Sequence, residues 1–132
     1  MDDTLLKKTQ DIKLIITDID GVWTDSKMYY TEDGLFMKSF CTYDGMATYL
    51  LNKYNFIIAM ITSEYENLDI LYTRVKKLKI EEVYTNEHAK LNRVKYLMKK
   101  YDLSPSNLAY IGDDLNDLES LKYVGLTCCP QS

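Results

Sequence analysis

Two carboxylic acids follow an apolar segment near the start of this chain. Asp18 and Asp20 come directly after Leu14-Ile15-Ile16-Thr17, a run typical of a buried β-strand. Residues two apart in a strand point the same way, and a turn beginning at Gly21 can bring both carboxyl groups to one ligand. Such a pair suits a nucleophile with a partner acid that exchanges protons.

A second acidic cluster follows a later apolar run, where Gly112 precedes Asp113, Asp114 and then Asp117. Because the carboxyl ends of parallel strands meet at one edge of a sheet, we expect both clusters at the same edge. Carboxylates gathered there repel one another unless a cation neutralises them, and oxygen ligands suit Mg²⁺ better than zinc. The sequence therefore predicts a magnesium site.

Groups that suit a phosphate lie between these clusters. Thr62 ends another predicted strand, where its hydroxyl and the following amides, beginning at Ser63, can hold a phosphate oxygen; Lys90 opens a predicted helix and adds a positive charge. The ordered set supplies a nucleophile, an acid/base, anion contacts and a metal, which favours phosphoryl transfer. Each acid also has a structural alternative: Asp25 and Asp114 either cap turns or orient a ligand without touching it.

Short β-prone runs alternate with helical patterns, which predicts an α/β fold: a Rossmann-like parallel sheet flanked by helices. We expect strands at residues 13–17, 56–62, 82–85, 108–111 and 124–128. The first helix is predicted to begin at Asp44 and to turn Met46, Leu50 and Leu51 inward. Further helices are expected over 68–78 and 91–98 and from Asn116 onward.

One segment breaks this alternation. Residues 27–30 and 35–40 are β-prone and are joined by Glu32-Asp33-Gly34, which predicts a hairpin directly after the first strand. A hairpin at this place lies at the carboxyl edge of the sheet, where such folds bind ligands. We interpret residues 27–40 as a flap beside the site.

Composition limits the class of protein. The length of 132 residues with 46% hydrophobic residues fits a single domain, residues 1–132, and the net charge of −4 argues against nucleic acid as a partner. No apolar run reaches the roughly 20 residues of a membrane span, so we expect a cytoplasmic protein without membrane contact. The three cysteines, Cys41, Cys128 and Cys129, have neither metal-type nor redox-type spacing.

These ordered motifs resemble the haloacid dehalogenase superfamily of phosphatases, from about Asp11 to the end of the chain. Asp18-Ile19-Asp20-Gly21 matches its first motif, and Thr62, Lys90 and Gly112-Asp113-Asp114-Leu115-Asn116-Asp117 match the later ones. The extended first motif to Asp25, the hairpin, and Lys38-Ser39-Phe40 followed by Asp44-Gly45-Met46 are similar to a subgroup that lacks a large cap domain and acts on sugar acids.

The resemblance implies that Asp18 forms an aspartyl-phosphate, that Asp20 protonates the leaving oxygen and then activates water, and that Asp113 with Asp18 and the Asp20 main-chain carbonyl binds Mg²⁺. Thr62, Ser63 and Lys90 would hold the phosphoryl group, and Asp117 would orient Lys90 or a metal-bound water. The implied substrate is an eight- or nine-carbon sugar-acid phosphate such as 3-deoxy-D-manno-octulosonate 8-phosphate, within lipopolysaccharide or sialic acid biosynthesis. The implied assembly is a homotetramer with Tyr29, Tyr30 and Phe36 at its interfaces.

The chain departs from the subgroup at three places. Ser63-Glu64 replaces the usual Gly-Arg after Thr62, the stretch from Glu64 to Leu78 is about two residues longer, and the segment after Cys128 is short. Arg74 still falls where relatives place an arginine, so it is either a substrate contact or an ordinary solvated helix residue.

Three other functions compete with the first choice. One is a nonulosonate (sialic acid type) 9-phosphate phosphatase, and another is a weakly catalytic assembly domain related to acylneuraminate cytidylyltransferases. The third is a phosphoacceptor signalling domain, against which Asp20 argues because a second acid two residues after the nucleophile favours turnover.

Overall fold

A five-stranded parallel sheet forms the centre of the computed structural model, which describes residues 1–131. Its order is the fifth, fourth, first, sixth and seventh strand, and a separate two-stranded hairpin follows the first strand. The strands in chain order are β1 (Leu14–Thr17), β2 (Tyr29–Thr31), β3 (Gly34–Met37), β4 (Ile57–Ile61), β5 (Glu82–Tyr84), β6 (Leu108–Ile111) and β7 (Leu126–Cys128). The parallel sheet and the hairpin after β1 confirm the predicted fold class.

Within residues 1–131, five α-helices accompany the sheet: α1 (Asp3–Gln10), α2 (Thr42–Lys53), α3 (Asp69–Leu78), α4 (Lys90–Lys100) and α5 (Leu118–Tyr123). Short 3₁₀ helices, Pro105–Asn107 and Leu115–Asp117, precede β6 and α5. Sequence reasoning missed α1, which buries none of its residues and begins where the Asp2 carboxylate accepts from the Thr4 amide at 2.6 Å. Within the described residues no insertion larger than the hairpin interrupts these elements, as expected for a chain without a large cap.

The two faces of the sheet carry separate cores, because successive strand residues point to opposite sides. Leu14, Ile16 and Tyr110 pack with Val94 and Leu97 of α4 on one face. The other face joins Ile58 and Met60 to the buried residues of α3, which are Leu71, Val75 and Leu78. The sheet is therefore held between two helical layers that leave its carboxyl edge free for loops.

The predicted start of α2 was wrong. The helix begins at Thr42 after Cys41, so Asp44 lies in its first turn instead of capping it. Two of the three predicted inward residues were also wrong, since Met46 is 61% exposed and Leu50 is 44% exposed. Thr48 is buried and Leu51 packs against the core, so these two residues, three apart, define the inward face of the helix.

Most other boundaries differ from the predicted ones by one or two residues, which is the usual uncertainty at element ends. The second strand of the hairpin, expected to reach residue 40, ends three residues earlier, at Met37. The helix expected from Asn116 is a 3₁₀ turn that continues into α5. Cys41, Cys128 and Cys129 are free thiols. None of the helices in residues 1–131 has the length and apolarity needed to cross a membrane. Ser132, the last residue of the predicted domain, lies outside the described residues.

Candidate active site

Asp18 lies at the centre of the carboxyl edge, directly after β1. Its amide donates to the Ile111 carbonyl of β6 at 2.9 Å, which fixes the backbone between the two strands. Its carboxylate accepts from the Ile19 amide at 2.8 Å and lies 3.0 Å from the Lys90 ammonium. The residue is only 7% exposed, so this carboxyl group is held in one orientation at the floor of the edge.

Lys90, the first residue of α4, is 2% exposed and connects the two acidic clusters. Its ammonium lies 2.9 Å from Asp117 Oδ1, in addition to its contact with Asp18. The Tyr110 hydroxyl donates to the same Asp117 oxygen at 2.6 Å. The Lys90 cation is thus paired with a carboxylate on each side, and the tyrosine satisfies one of those carboxylates, so the buried polar groups form a connected network.

The protonation of Asp18 reflects this environment. Burial raises the pKa of Asp18 to about 7, against the lowering effect of Lys90 and with a smaller raising contribution from the Asp117 charge. The pKa of the Tyr110 hydroxyl is also raised, first by burial and then by its bond to Asp117, so this hydroxyl remains a donor. A strongly shifted carboxyl group at a strand end marks a candidate functional site.

Carboxylate oxygens of Asp18, Asp113 and Asp117 lie within 4.8 Å of one another. Gly21, at φ +86°, lies directly against this group. A Cβ at this position would lie 1.8 Å from Asp113 Oδ2, so only glycine allows Asp113 to approach this closely. Both Asp117 oxygens are already engaged, Oδ1 by Lys90 and Tyr110 and Oδ2 by the Asp114 amide at 3.3 Å. Asp18 and Asp113 therefore have the freer oxygens for a hard cation.

Asp20 turns its carboxylate toward the hairpin. Its Oδ1 accepts from the Lys38 ammonium at 2.8 Å, and the Lys38 side chain is 6% exposed. Sequence reasoning gave no role to Lys38 or Tyr110. The available signals were a lysine beside the apolar run of β3 and a single hydroxyl within the otherwise apolar β6.

Thr62 follows β4 at the same edge and is 3% exposed. Its hydroxyl accepts from the Glu64 amide at 3.1 Å, which shapes the turn that presents Ser63. Ser63 and Glu64 line a cavity of about 390 Å³ together with His88 and Asn116. This places the loop after β4 beside the loop that carries Asp113.

The remaining predicted residues make contacts with neighbouring backbone or with another element. Asp114 accepts from the Leu115 amide at 2.6 Å, and Asp25 from the Lys27 amide at 3.0 Å. Arg74 donates to the Cys41 carbonyl at 3.0 Å, and its guanidinium lies 5.6 Å from the centre of the Phe40 ring. These contacts join α3 to the start of α2, and the substrate role of Arg74 stays a prediction.

Comparisons with known proteins show the family to which the chain belongs. A family model described as haloacid dehalogenase-like hydrolase matches residues 42–130. The chain is 32% identical over 123 residues, 93% of its length, to the 3-deoxy-D-manno-octulosonate 8-phosphate phosphatases KdsC of Salmonella typhi and Escherichia coli K12. It spans 64% of the length of these curated relatives.

Solved structures give the same result. The phosphatase of that name from Yersinia pestis superposes with a TM-score of 0.90 at 31% identity, covering 96% of this chain and 68% of that one. The enzyme from Moraxella catarrhalis, solved with a magnesium ion, a phosphate ion and KDO, gives 0.87 at 31% identity, covering 95% and 71%. The chain belongs to the haloacid dehalogenase-like hydrolase family.

Proposed function

We propose that this protein hydrolyses phosphate monoesters through a covalent aspartyl-phosphate on Asp18. The observation that carries the proposal is the position of Asp18, a buried carboxylate 3.0 Å from Lys90 and beside Asp113 at the carboxyl edge. A nucleophile needs to be fixed and desolvated, and the transferring phosphoryl group needs positive charge beside it. Asp18 and Lys90 meet both needs.

The residues present fit a divalent cation. Asp18, Asp113 and the main-chain carbonyl of Asp20 would hold Mg²⁺, which would neutralise phosphoryl charge and favour the ionised form of Asp18. A site with only oxygen donors is typical of magnesium. Gly21, which has no side chain, leaves room for Asp113 to approach the first loop.

The other site residues would transfer protons, hold the phosphoryl group or keep the catalytic groups in position. Asp20 would donate a proton to the leaving oxygen and then accept one from the attacking water. Thr62 and the Ser63 amide would hold phosphoryl oxygens, while Asp117 keeps Lys90 pointed at Asp18 through the 2.9 Å contact. Asp114 would keep the loop that carries Asp113 in place by capping it.

The proposed substrate is a phosphorylated eight- or nine-carbon sugar acid, with 3-deoxy-D-manno-octulosonate 8-phosphate as first choice. The names of the relatives at 32% identity support this choice. We also propose a homotetramer, since the hairpin exposes Tyr29, Tyr30 and Phe36, by 42%, 64% and 66%. Asp25 and Arg74 would act at the rim of the site.

Phosphate release from a panel of sugar phosphates tests the proposal. The panel includes 3-deoxy-D-manno-octulosonate 8-phosphate and nonulosonate 9-phosphates, each with Mg²⁺ and with EDTA. We expect magnesium-dependent release that falls on the order of a thousand-fold or more in Asp18→Asn. Asp11→Asn is the matched control, because it changes an exposed acid that precedes β1, at the end of the strand opposite the site, and should retain most of the activity. Absence of release from every substrate would favour a noncatalytic assembly domain.

A further inference from the structure

Tyr110 connects the core to the candidate active site. It lies within β6 and is 0% exposed, and its side chain packs in the core with Val94 and Leu97 of α4. Its hydroxyl donates to Asp117 Oδ1 at 2.6 Å. Because a close-packed core leaves a ring little freedom, this hydroxyl is a fixed donor for Asp117.

Three donors hold the buried Asp117 carboxylate. Its Oδ1 accepts from Tyr110 and from the Lys90 ammonium, which lies 2.9 Å away, and its Oδ2 accepts from the Asp114 amide at 3.3 Å. The Asp114 contact is longer than the usual range for an amide donor, so it is the weakest of the three. The orientation of the carboxylate therefore depends mainly on the tyrosine and the lysine.

The Lys90 ammonium is shared between two carboxylates, since it lies 3.0 Å from Asp18 Oδ1 as well as 2.9 Å from Asp117 Oδ1. The Tyr110 hydroxyl offsets part of the charge that Asp117 presents to this ammonium. Without the hydroxyl, Asp117 would be a buried carboxylate that lacks a donor, and it would draw the ammonium towards itself. Lys90 would then lie further from Asp18 and from the phosphoryl group that it is proposed to hold.

We infer that Tyr110 is a positioning residue that keeps the Lys90 ammonium beside Asp18 through its bond to Asp117, an inference that rests on the proposed phosphatase function. In this role the hydroxyl touches no substrate and transfers no proton. A displaced anion contact slows the chemical step more than it weakens binding, so loss of the hydroxyl should lower kcat and leave KM nearly unchanged. The loss should be alike for different leaving groups, because Lys90 acts on the phosphoryl oxygens that all substrates share.

The test compares Tyr110→Phe, which removes only the hydroxyl, with wild type on p-nitrophenyl phosphate and on the sugar phosphate that the panel ranks first. We expect kcat to fall about ten-fold on both substrates, with KM changed by less than about two-fold. Tyr101→Phe is the matched control, because it removes a hydroxyl that also donates to a carboxylate, that of Glu82 at the amino end of β5, opposite the site. Both variants should lower the Tm, and only Tyr110→Phe should lower kcat.

A double-mutant cycle tests whether the effect passes through Asp117. Asp117→Asn lowers kcat by itself, because it weakens the contact that orients Lys90. Adding Tyr110→Phe to that variant should cost less than about two-fold more, since the charge on which the hydroxyl acts has been removed. The kinetics are measured below the Tm of every variant, so that only folded protein is compared.

Three results would each overturn the role of Tyr110. They are a Tyr110→Phe variant with a lowered Tm but an unchanged kcat, a control with the same loss of kcat, and a full ten-fold further loss in the Asp117→Asn background. A wild-type protein that hydrolyses neither substrate with Mg²⁺ would instead refute the phosphatase function itself.

Discussion

Replacement of Lys90 by methionine removes the buried cation that separates Asp18 from Asp117. Methionine nearly matches the length of the lysine stem, so the main change is the loss of charge. Two carboxylates, 7% and 0% exposed, are then left close together without a partner. Breaking a buried ion pair on one side costs about 3–5 kcal/mol, and we expect a loss of that size in the free energy of unfolding.

The pH dependence of this loss follows from Asp18. Its pKa, already about 7, should rise further because Lys90 makes the largest contribution that lowers it. An acid whose folded pKa exceeds its unfolded pKa makes the folded state bind more protons, so stability falls as pH rises between the two values. The deficit of Lys90→Met should therefore be smaller at pH 5.5 than at pH 8.

Urea unfolding at both pH values in the presence of EDTA measures this effect. Lys99→Met, which removes an exposed lysine from the same helix, should change stability by less than about 0.5 kcal/mol. A loss below about 1 kcal/mol for Lys90→Met, or a deficit that grows toward low pH, would refute the idea that a buried cation holds the two acids together.

Other predictions follow from single contacts. Gly112→Ala should reduce activity at least about ten-fold with little change in KM, because its Cβ would lie 2.7 Å from the Asp117 side chain and displace Lys90. Glu82→Gln should cost about 1–2 kcal/mol at pH 7, measured by urea unfolding, since Glu82 accepts from Lys100 and two tyrosines. Burial alone would raise the pKa of Glu82, but these bonds outweigh it and the pKa is lowered, so the difference from wild type should shrink as pH falls through that lowered value. Millimolar Mg²⁺ should raise the Tm of wild type at pH 8 but not that of Asp113→Asn, and an equal rise in both would exclude Asp113 as a ligand.

The sequence predicted the parts of the fold that depend on strong local signals. The three central strands β1, β4 and β6 are near-continuous apolar runs, and β6 begins and ends where expected, at Leu108 and Ile111. The edge that gathers Asp18 and Asp113 follows from the parallel order of β1 and β6. These features need no knowledge of long-range packing.

Contacts between side chains that are distant in the chain could not be predicted from the sequence. Lys38 reaches Asp20 across 18 positions and Tyr110 reaches Asp117 around the end of a strand, so neither partner is marked by spacing alone. The predicted inward face of α2 was wrong for Met46 and Leu50, which are apolar yet exposed, and right for Leu51, which packs against the core; the buried Thr48 was not predicted. The helical spacing of apolar residues shows which residues share a face of a helix, but not which face packs against the sheet.

The most direct test of the account is chemical trapping of the proposed intermediate on Asp18. Protein quenched in acid during turnover, with Mg²⁺ and the best substrate of the panel, is reduced with borohydride, which converts an aspartyl-phosphate to homoserine, and its peptides are examined by mass spectrometry. The account predicts homoserine at position 18 only when both substrate and Mg²⁺ are present. Turnover without modification at Asp18, or with modification at another acid, would contradict it.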